Sequence, residues 1–238
     1  MTRSILLASA ASGSDESIVI LPIGSLENHG VLPLGTDVLI ATCVSEKAAR
    51  LAACRGVVTA PPIPYSVAVE HAAPRITCSP ETFIRYLEEV GASLLEWSRG
   101  AVFAVFHGGA FSAAYLAARV LRAKGHNIAV YSVWEAVSRI LRDLYDVDAG
   151  LIHADPIEAS MLLACGHSVG VQRASKEAVL ESLPTLRQPR VTPWVHSDVP
   201  RLYPGSLVQA SEELGEELVS AVAKELADYA CSLAGGYA

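Results

Sequence analysis

The feature that most constrains this chain is a repeated alternation of short, wholly apolar runs with longer amphipathic stretches. The runs "SIVILPI" (17–23), "GVVTAPPI" (56–63), "AVFAVFH" (101–107) and "NIAVYSV" (127–133) are rich in β-branched or aromatic residues, with few polar interruptions. A strand with one wet face alternates apolar and polar residues, whereas a strand apolar throughout is covered on both faces, as in parallel sheets. Helix signals lie between the runs. Thr36 or Asp37 opens one helix running to about Ala53. Ser79-Pro80-Glu81 supplies an N-cap, a first-turn proline and an acid for a second, which runs to about Trp97. "AFSAAYLAARVLRAKG" stops at Lys124-Gly125. "DPIEASMLLACG" reads as a short helix, 183–204 as a polar proline-rich segment, and "SEELGEELVSAVAKELADYACSLA" as a closing amphipathic helix. The β-α-β-α order predicts an α/β layered fold with a mainly parallel sheet, as one domain over residues 1–238.

Composition narrows the function. Of 238 residues, 51% are hydrophobic and 18% charged, enough apolar material for a sizeable core and for an interface between copies, so a homo-oligomer is expected. With 18 basic and 25 acidic residues the net charge is -7, which argues against general affinity for nucleic acid. No run reaches the roughly 18 continuous apolar residues of a membrane span. The start, "MTRSILLASAASGSDE", has a basic residue and an apolar stretch, but the stretch is short for a secretory signal and Asp15 and Glu16 follow at once. Five cysteines (43, 54, 78, 165 and 231) show no CxxC spacing and read as reduced thiols of a cytoplasmic protein, not as a disulfide framework.

The first apolar run is followed by "GSLENHGVLPLGTD", which packs Glu27, His29 and Asp37 into eleven residues. It is either a polar surface loop or half of a metal site. His107 ends "AVFAVF", and Gly108-Gly109 after it let a ligand approach the backbone closely. In parallel α/β sheets ligands sit beyond the carboxyl ends of the strands, so Glu27, His29 and His107 converge on one edge. "HADPIEAS" adds His153, Asp155 and Glu158, with Pro156 suited to a helix start and Glu158 pointing inward from the second turn. Read plainly, His107 is a core histidine on a backbone carbonyl, Asp155 an N-cap and Glu158 a surface or capping acid. Together these residues make a mixed N/O donor set without thiolate, which suits Zn, Mn or Fe(II). Two such ions generate hydroxide near neutral pH and polarise a carbonyl.

These residues also resemble a known family. "LPIGSLENHGVLPLGTD" is similar to the creatininase (creatinine amidohydrolase) signature, in which Gly-Ser/Thr-x-Glu-x-His-Gly precedes Leu-Pro-Leu-x-Thr-Asp. "HGG", "HADPIEAS" and "PGSLVQASEELGEEL" resemble its later elements, so the likeness runs from about residue 17 to 230. The resemblance implies an α/β/α sandwich and a metal-dependent hydrolase of non-peptide C–N bonds, with one or two divalent ions. By position, Glu27 and His107 would bind one ion, His29 and Glu158 the other, and Asp37 would bridge. His153 would be the proton donor to the leaving nitrogen, with Glu158 also in the catalytic set. Within the family, "GSLENHG" resembles the archaeal formamide hydrolases, which release formate from a formylamino-pyrimidine ribonucleotide on the route to riboflavin and deazaflavin cofactors. Such a substrate needs a phosphate contact, for which Arg75 is placed, with His71 lining the pocket.

The chain departs from the pattern around His107. The family flanks this histidine with asparagines, where Val105-Phe106 and Ala110 stand here, and creatininase has a glutamate in place of Gly109. That loss removes groups that orient ligands. It leaves open a creatininase-like cyclic-amide or modified-peptide hydrolase, or a non-catalytic relative that binds a ligand in the same pocket. Trp134 and Trp194 would stack on a planar base, or serve as core or interface residues.

Overall fold

The computed structural model describes residues 17–54, 56–149, 153–183 and 208–235. Four parallel strands form the central sheet: β1 (Ile18–Ile23), β2 (Val57–Thr59), β3 (Gly100–Val105) and β4 (Ile128–Ser132). Their order is β2-β1-β3-β4, with Ile18 opposite Val57 on one side and opposite Gly100 on the other. All six residues of β1 and of β3 are buried, as the unbroken apolar runs require. Alternation of side chains splits each strand between two cores. Ile18, Ile20, Val102 and Ala104 face one, while Val19, Leu21, Phe103 and Val105 face the other.

Helices cover both faces. α2 (Pro80–Trp97) and α3 (Gly108–Ala123) bring Phe83, Leu87, Ala114, Ala117 and Leu121 to one core. The other layer is built from α1 (Thr36–Leu51), α4 (Val133–Tyr145), α5 (Pro156–Ala164) and α7 (Glu212–Ala234), with α6 (Lys176–Ser182) packed through Val179. The result is an α/β/α sandwich. A two-stranded parallel pair, β5 (Gln172–Arg173) with β6 (Gln209–Ala210), lies outside the main sheet.

Some expectations change. β2 is shorter than the run 56–63, because Pro61 and Pro62 cannot donate to a ladder; Ile63 then makes an isolated bridge to Ile23. α4 has no counterpart in the sequence reading. Its opening Val133-Trp134 continues a strand-like run, and Ser132 caps it by accepting from the Glu135 N–H. Glu158 lies in the first turn of α5, not the second. The leader-like start and nearly all of 183–204 lie outside the described residues.

The cysteines are the largest correction. Cys43 of α1 is bonded to Cys165 at the end of α5, and Cys54 to Cys231 of α7, leaving Cys78 as the free thiol. The partners stand 122 and 177 residues apart, so their meeting is a product of α1 packing on α5 and α7 and leaves no local spacing signal. Among the described residues no helix is long and apolar enough to cross a membrane.

Candidate metal centre

From the β1 end the chain leads through α1 to β2 on one side of the sheet, and from the β3 end through α3 to β4 on the other. Their carboxyl ends therefore flank the point where the topology reverses, where α/β sheets open a crevice. The loop after β1 is fixed internally: Leu34 O accepts from Glu27 N–H at 3.0 Å, and His29 O accepts from Leu32 N–H at 3.0 Å. A Cβ on Gly24 would fall 2.8 Å from the backbone N of Val38, so glycine lets the strand end run against the start of α1. That approach sets Ser25 beside Asp37, and the Ser25 hydroxyl donates to Asp37 Oδ2 at 3.0 Å, both buried.

Three other segments close the pocket. His107 ends the β3 run, with Phe106 N–H donating to Ile23 O at 2.7 Å. The loop 64–78 lies across it, tied by Ser66 Oγ to Gly24 O (2.6 Å) and by Ile76 N–H to Leu26 O (2.8 Å), and presents His71. At the start of α5, Asp155 caps the N–H groups of Ile157 and Glu158 at 2.9 Å each, which turns Glu158 inward. Ala154, between His153 and this cap, has φ 52°, a left-handed conformation that costs a non-glycine residue on the order of 1 kcal/mol.

Six ligand-type side chains thus converge, every one of them buried: Glu27, His29, Asp37, His107, His153 and Glu158, with buried His71 beside them. Asp37 sits centrally, Oδ1 3.3 Å from His29 Nε2 and Oδ2 3.2 Å from His107 Nδ1. Glu27 Oε1 is 3.1 Å from His107 Nδ1, 3.3 Å from His71 Nε2 and 3.5 Å from His153 Nδ1. Glu158 Oε2 is 3.9 Å from His29 Nε2. The ligand atoms of His29, Asp37 and Glu158 lie within 4.8 Å of one another, as do those of Glu27, His71 and His107 and those of Glu27, His29 and His153.

Backbone carbonyls fix the tautomers. His29 Nδ1 meets Glu27 O at 3.1 Å, His107 Nε2 meets Val67 O at 2.6 Å, and His153 Nε2 meets Asn28 O at 2.6 Å. A carbonyl only accepts, so each of those nitrogens donates and the other turns its lone pair into the pocket. Lone pairs then face carboxylate oxygens. Among the described residues both oxygens of Glu27, His29 Nε2 and Glu158 Oε2 are buried without a hydrogen bond. So many buried acceptors facing one another need positive charge between them, supplied by protons or by ions, and the donor set fits divalent ions with N/O preference.

The electrostatics agree. With no ion present, protons must supply the missing positive charge. Burial opposes charging of His29, but Asp37, Glu158 and Glu27 outweigh it and raise its pKa to about 9. Burial likewise opposes charging of His107, but Glu27 and Asp37 hold it well above the usual imidazole range. Asp37 is driven the other way: against its burial, His29 and His107 keep it well below the usual carboxylate range. Burial, augmented by nearby Asp155, Asp37 and Glu27, pushes Glu158 up to about 8 and overcomes the pull of His29. Glu27 is also raised by burial. Burial and the surrounding imidazoles lower His71 to about 2; burial and His29 lower His153 to about 3.

Of the other sequence-predicted residues, Gly108 is exposed and Gly109 half-buried at the start of α3, while Arg75 is exposed on loop 64–78. Trp134 is half-buried, its indole N–H donating to Phe106 O at 2.6 Å, just before His107; Trp194 lies outside the described residues. The places of the missing asparagines, Val105 and Ala110, are apolar and buried, and Val67 O orients His107 instead. Sequence reasoning assigned nothing to Ser25, although it stands in the quoted motif, nor to Glu70, whose carboxylate lies 3.9 Å from both His71 and His107. Its only signal was its place next to His71.

A sandwich of this topology, with buried acids and imidazoles gathered at its switch point, is an α/β protein whose described residues offer three groups able to hold a metal ion. The chain belongs to the creatininase family (creatinine amidohydrolase), whose model matches residues 8–230; its members are metal-dependent amidohydrolases. Solved creatininases share the fold. A creatininase variant complexed with creatine aligns over 98% of both chains at 20% identity, with a TM-score of 0.72. A manganese form aligns over 96% of this chain and 97% of its own at 21% identity (TM-score 0.69). A Zn-Zn variant aligns over the same shares at 21% identity (TM-score 0.68). No curated sequence matches the chain.

Proposed function

We propose that this protein is a formamide hydrolase that releases formate from a formylamino-pyrimidine ribonucleotide in riboflavin and deazaflavin biosynthesis, working in the cytoplasm as a homo-oligomer. The observation that carries a hydrolytic role is the set of buried, unsatisfied acceptors of Glu27, His29 and Glu158 around Asp37. The substrate choice is supported by the motif "GSLENHG". Glycine at 109 speaks against creatinine. Exposed Tyr86 of α2 and Tyr115, Leu116 and Val120 of α3 support an interface between copies. Two cystines are compatible with a cytoplasm of the kind found in hyperthermophiles, whose intracellular proteins are disulfide-rich.

On this reading Glu27 and His107 would hold one ion and His29 and Glu158 the other, with Asp37 shared by the two groups and Fe(II), Zn or Mn as occupants. Divalent ions so held would polarise a carbonyl and acidify water. Gly108, with open space where a Cβ would stand, leaves the formamide room beside His107, whereas the space at Gly109 is filled by Glu70 Oε1; His71 lines the pocket and Arg75 meets the phosphate. His153, whose Nε2–H is held by Asn28 O, relays the water's proton through Nδ1 to the departing nitrogen, against the burial and the His29 charge that lower its pKa to about 3. The C–N bond breaks, leaving formate and the free amine.

The test is a formate-release assay on the metal-reconstituted protein. Wild type turns over the formylamino-pyrimidine nucleotide, and Glu27→Gln or His29→Ala abolishes release. Normal turnover in either variant rules out the mechanism. Turnover of creatinine alone moves the substrate to the cyclic amides.

A further inference from the structure

We propose that Glu70 is a positioning residue for the ion-holding His107 and for His71 beside it, admitted to the pocket because residue 109 has no side chain. A Cβ at Gly109 would fall 2.1 Å from Glu70 Oε1, 2.6 Å from His107 Nε2 and 2.7 Å from Val67 O. The space where any other residue would carry its side chain is therefore taken by a carboxylate reaching in from loop 64–78. From there Oε1 lies 3.9 Å from His107 Nε2 and 3.9 Å from His71 Nε2.

The position suits a charge that acts through its neighbours. The Glu70 side chain is 20% exposed, against 7% or less for Glu27, Asp37 and Glu158, so it keeps its hydration in part. His107 donates its Nε2–H to Val67 O and turns Nδ1 toward Glu27 and Asp37. A negative charge behind that N–H makes the opposite lone pair a stronger donor and fixes the ring, the usual work of an outer carboxylate on a ligating histidine. His71 Nε2 lies 3.9 Å from Glu70 Oε1 and 3.3 Å from Glu27 Oε1, so the same carboxylate also acts on this ring. Gly109 and Glu70 thus form one unit.

This inference rests on the reading of the pocket as an ion site, and its test needs no turnover. Chelator-stripped full-length protein is titrated calorimetrically with Zn2+ and Mn2+ as wild type, Glu70→Gln, Glu70→Asp, Gly109→Ala and the double variant Glu70→Gln/Gly109→Ala. Glu70→Gln weakens one ion by about 10- to 100-fold and leaves the other unchanged, with the melting temperature of the stripped protein unaltered. Glu70→Asp recovers part of the loss. Gly109→Ala, whose Cβ would strike Glu70 Oε1, His107 Nε2 and Val67 O together, costs at least as much, and the double variant is no worse than Gly109→Ala alone, as expected for coupled sites. Unchanged affinity in Glu70→Gln, or losses that add in the double variant, overturns the inference. Should Gly109→Ala fail to fold, the isosteric Glu70→Gln decides. Wild type that takes up neither ion overturns the reading of the pocket and this inference with it.

Discussion

Asp37 meets His107 at the centre of the pocket, Oδ2 to Nδ1 at 3.2 Å, on the side of the imidazole away from its bond to Val67 O. The second oxygen of the same carboxylate faces His29 Nε2 at 3.3 Å. One residue therefore links the two groups of donors, the first from β1 and α5, the second from β3. Asp37→Asn puts an amide N–H against one of two lone pairs. Both ions should be weakened together, by at least about 100-fold, as measured by calorimetry on stripped protein. Loss of one ion alone would show that Asp37 does not span the pair.

Ser25 orients that carboxylate with a buried hydrogen bond of 3.0 Å. Ser25→Ala removes the donor but leaves the ligand, so the effect should be graded: about 10-fold weaker ion binding and roughly 1 kcal/mol less stability. Ser25→Thr keeps the hydroxyl and should bind ions as wild type does. Equal losses in both variants would assign the effect to packing.

Without ions, stability should fall as pH rises from 7 to 9. The folded pKa of His29 is raised from 6.5 to about 9 and that of Glu158 from 4.5 to about 8. In this window the folded protein holds more protons than the unfolded chain, so raising pH favours unfolding. His71 and His153 are shifted downward from 6.5 and act only below that pH, so they do not oppose the trend. Thermal melts in chelator should show a falling midpoint from pH 7 to 9, and saturating Zn2+ should flatten the slope by displacing those protons. A midpoint that rises with pH in chelator would contradict the protonation scheme.

Thiol titration of unreduced, denatured protein should find one reactive cysteine of five, Cys78. Reductant should lower the melting temperature, since each cystine closes a long loop worth about 2–4 kcal/mol. Five reactive thiols would return the cysteines to the reduced state that their spacing suggested.

The sheet was legible because burial on both faces leaves a direct trace in composition: β1 and β3 fall within the runs ending at Ile23 and His107. The acids and imidazoles were legible for a related reason, since polar residues at the tips of apolar strands have few structural uses. What stayed hidden depends on packing between distant segments. Cys54 meets Cys231 only once α7 lies on α1. Glu70 reaches His107 only because loop 64–78 crosses the β3 end, and no period or spacing encodes that crossing. The carbonyls of Glu27, Val67 and Asn28 orient three imidazoles where asparagines were expected to matter, and backbone groups carry no side-chain signature at all.

The buried acids and imidazoles around Asp37 form a candidate site for divalent ions. Elemental analysis of the purified protein, alongside Asp37→Asn, tests it most directly. One or two equivalents of Fe, Zn or Mn per chain are expected in the wild type, removed by chelator and absent from the variant. A folded wild type that carries no ion and takes none up from Zn2+ or Mn2+ would contradict it.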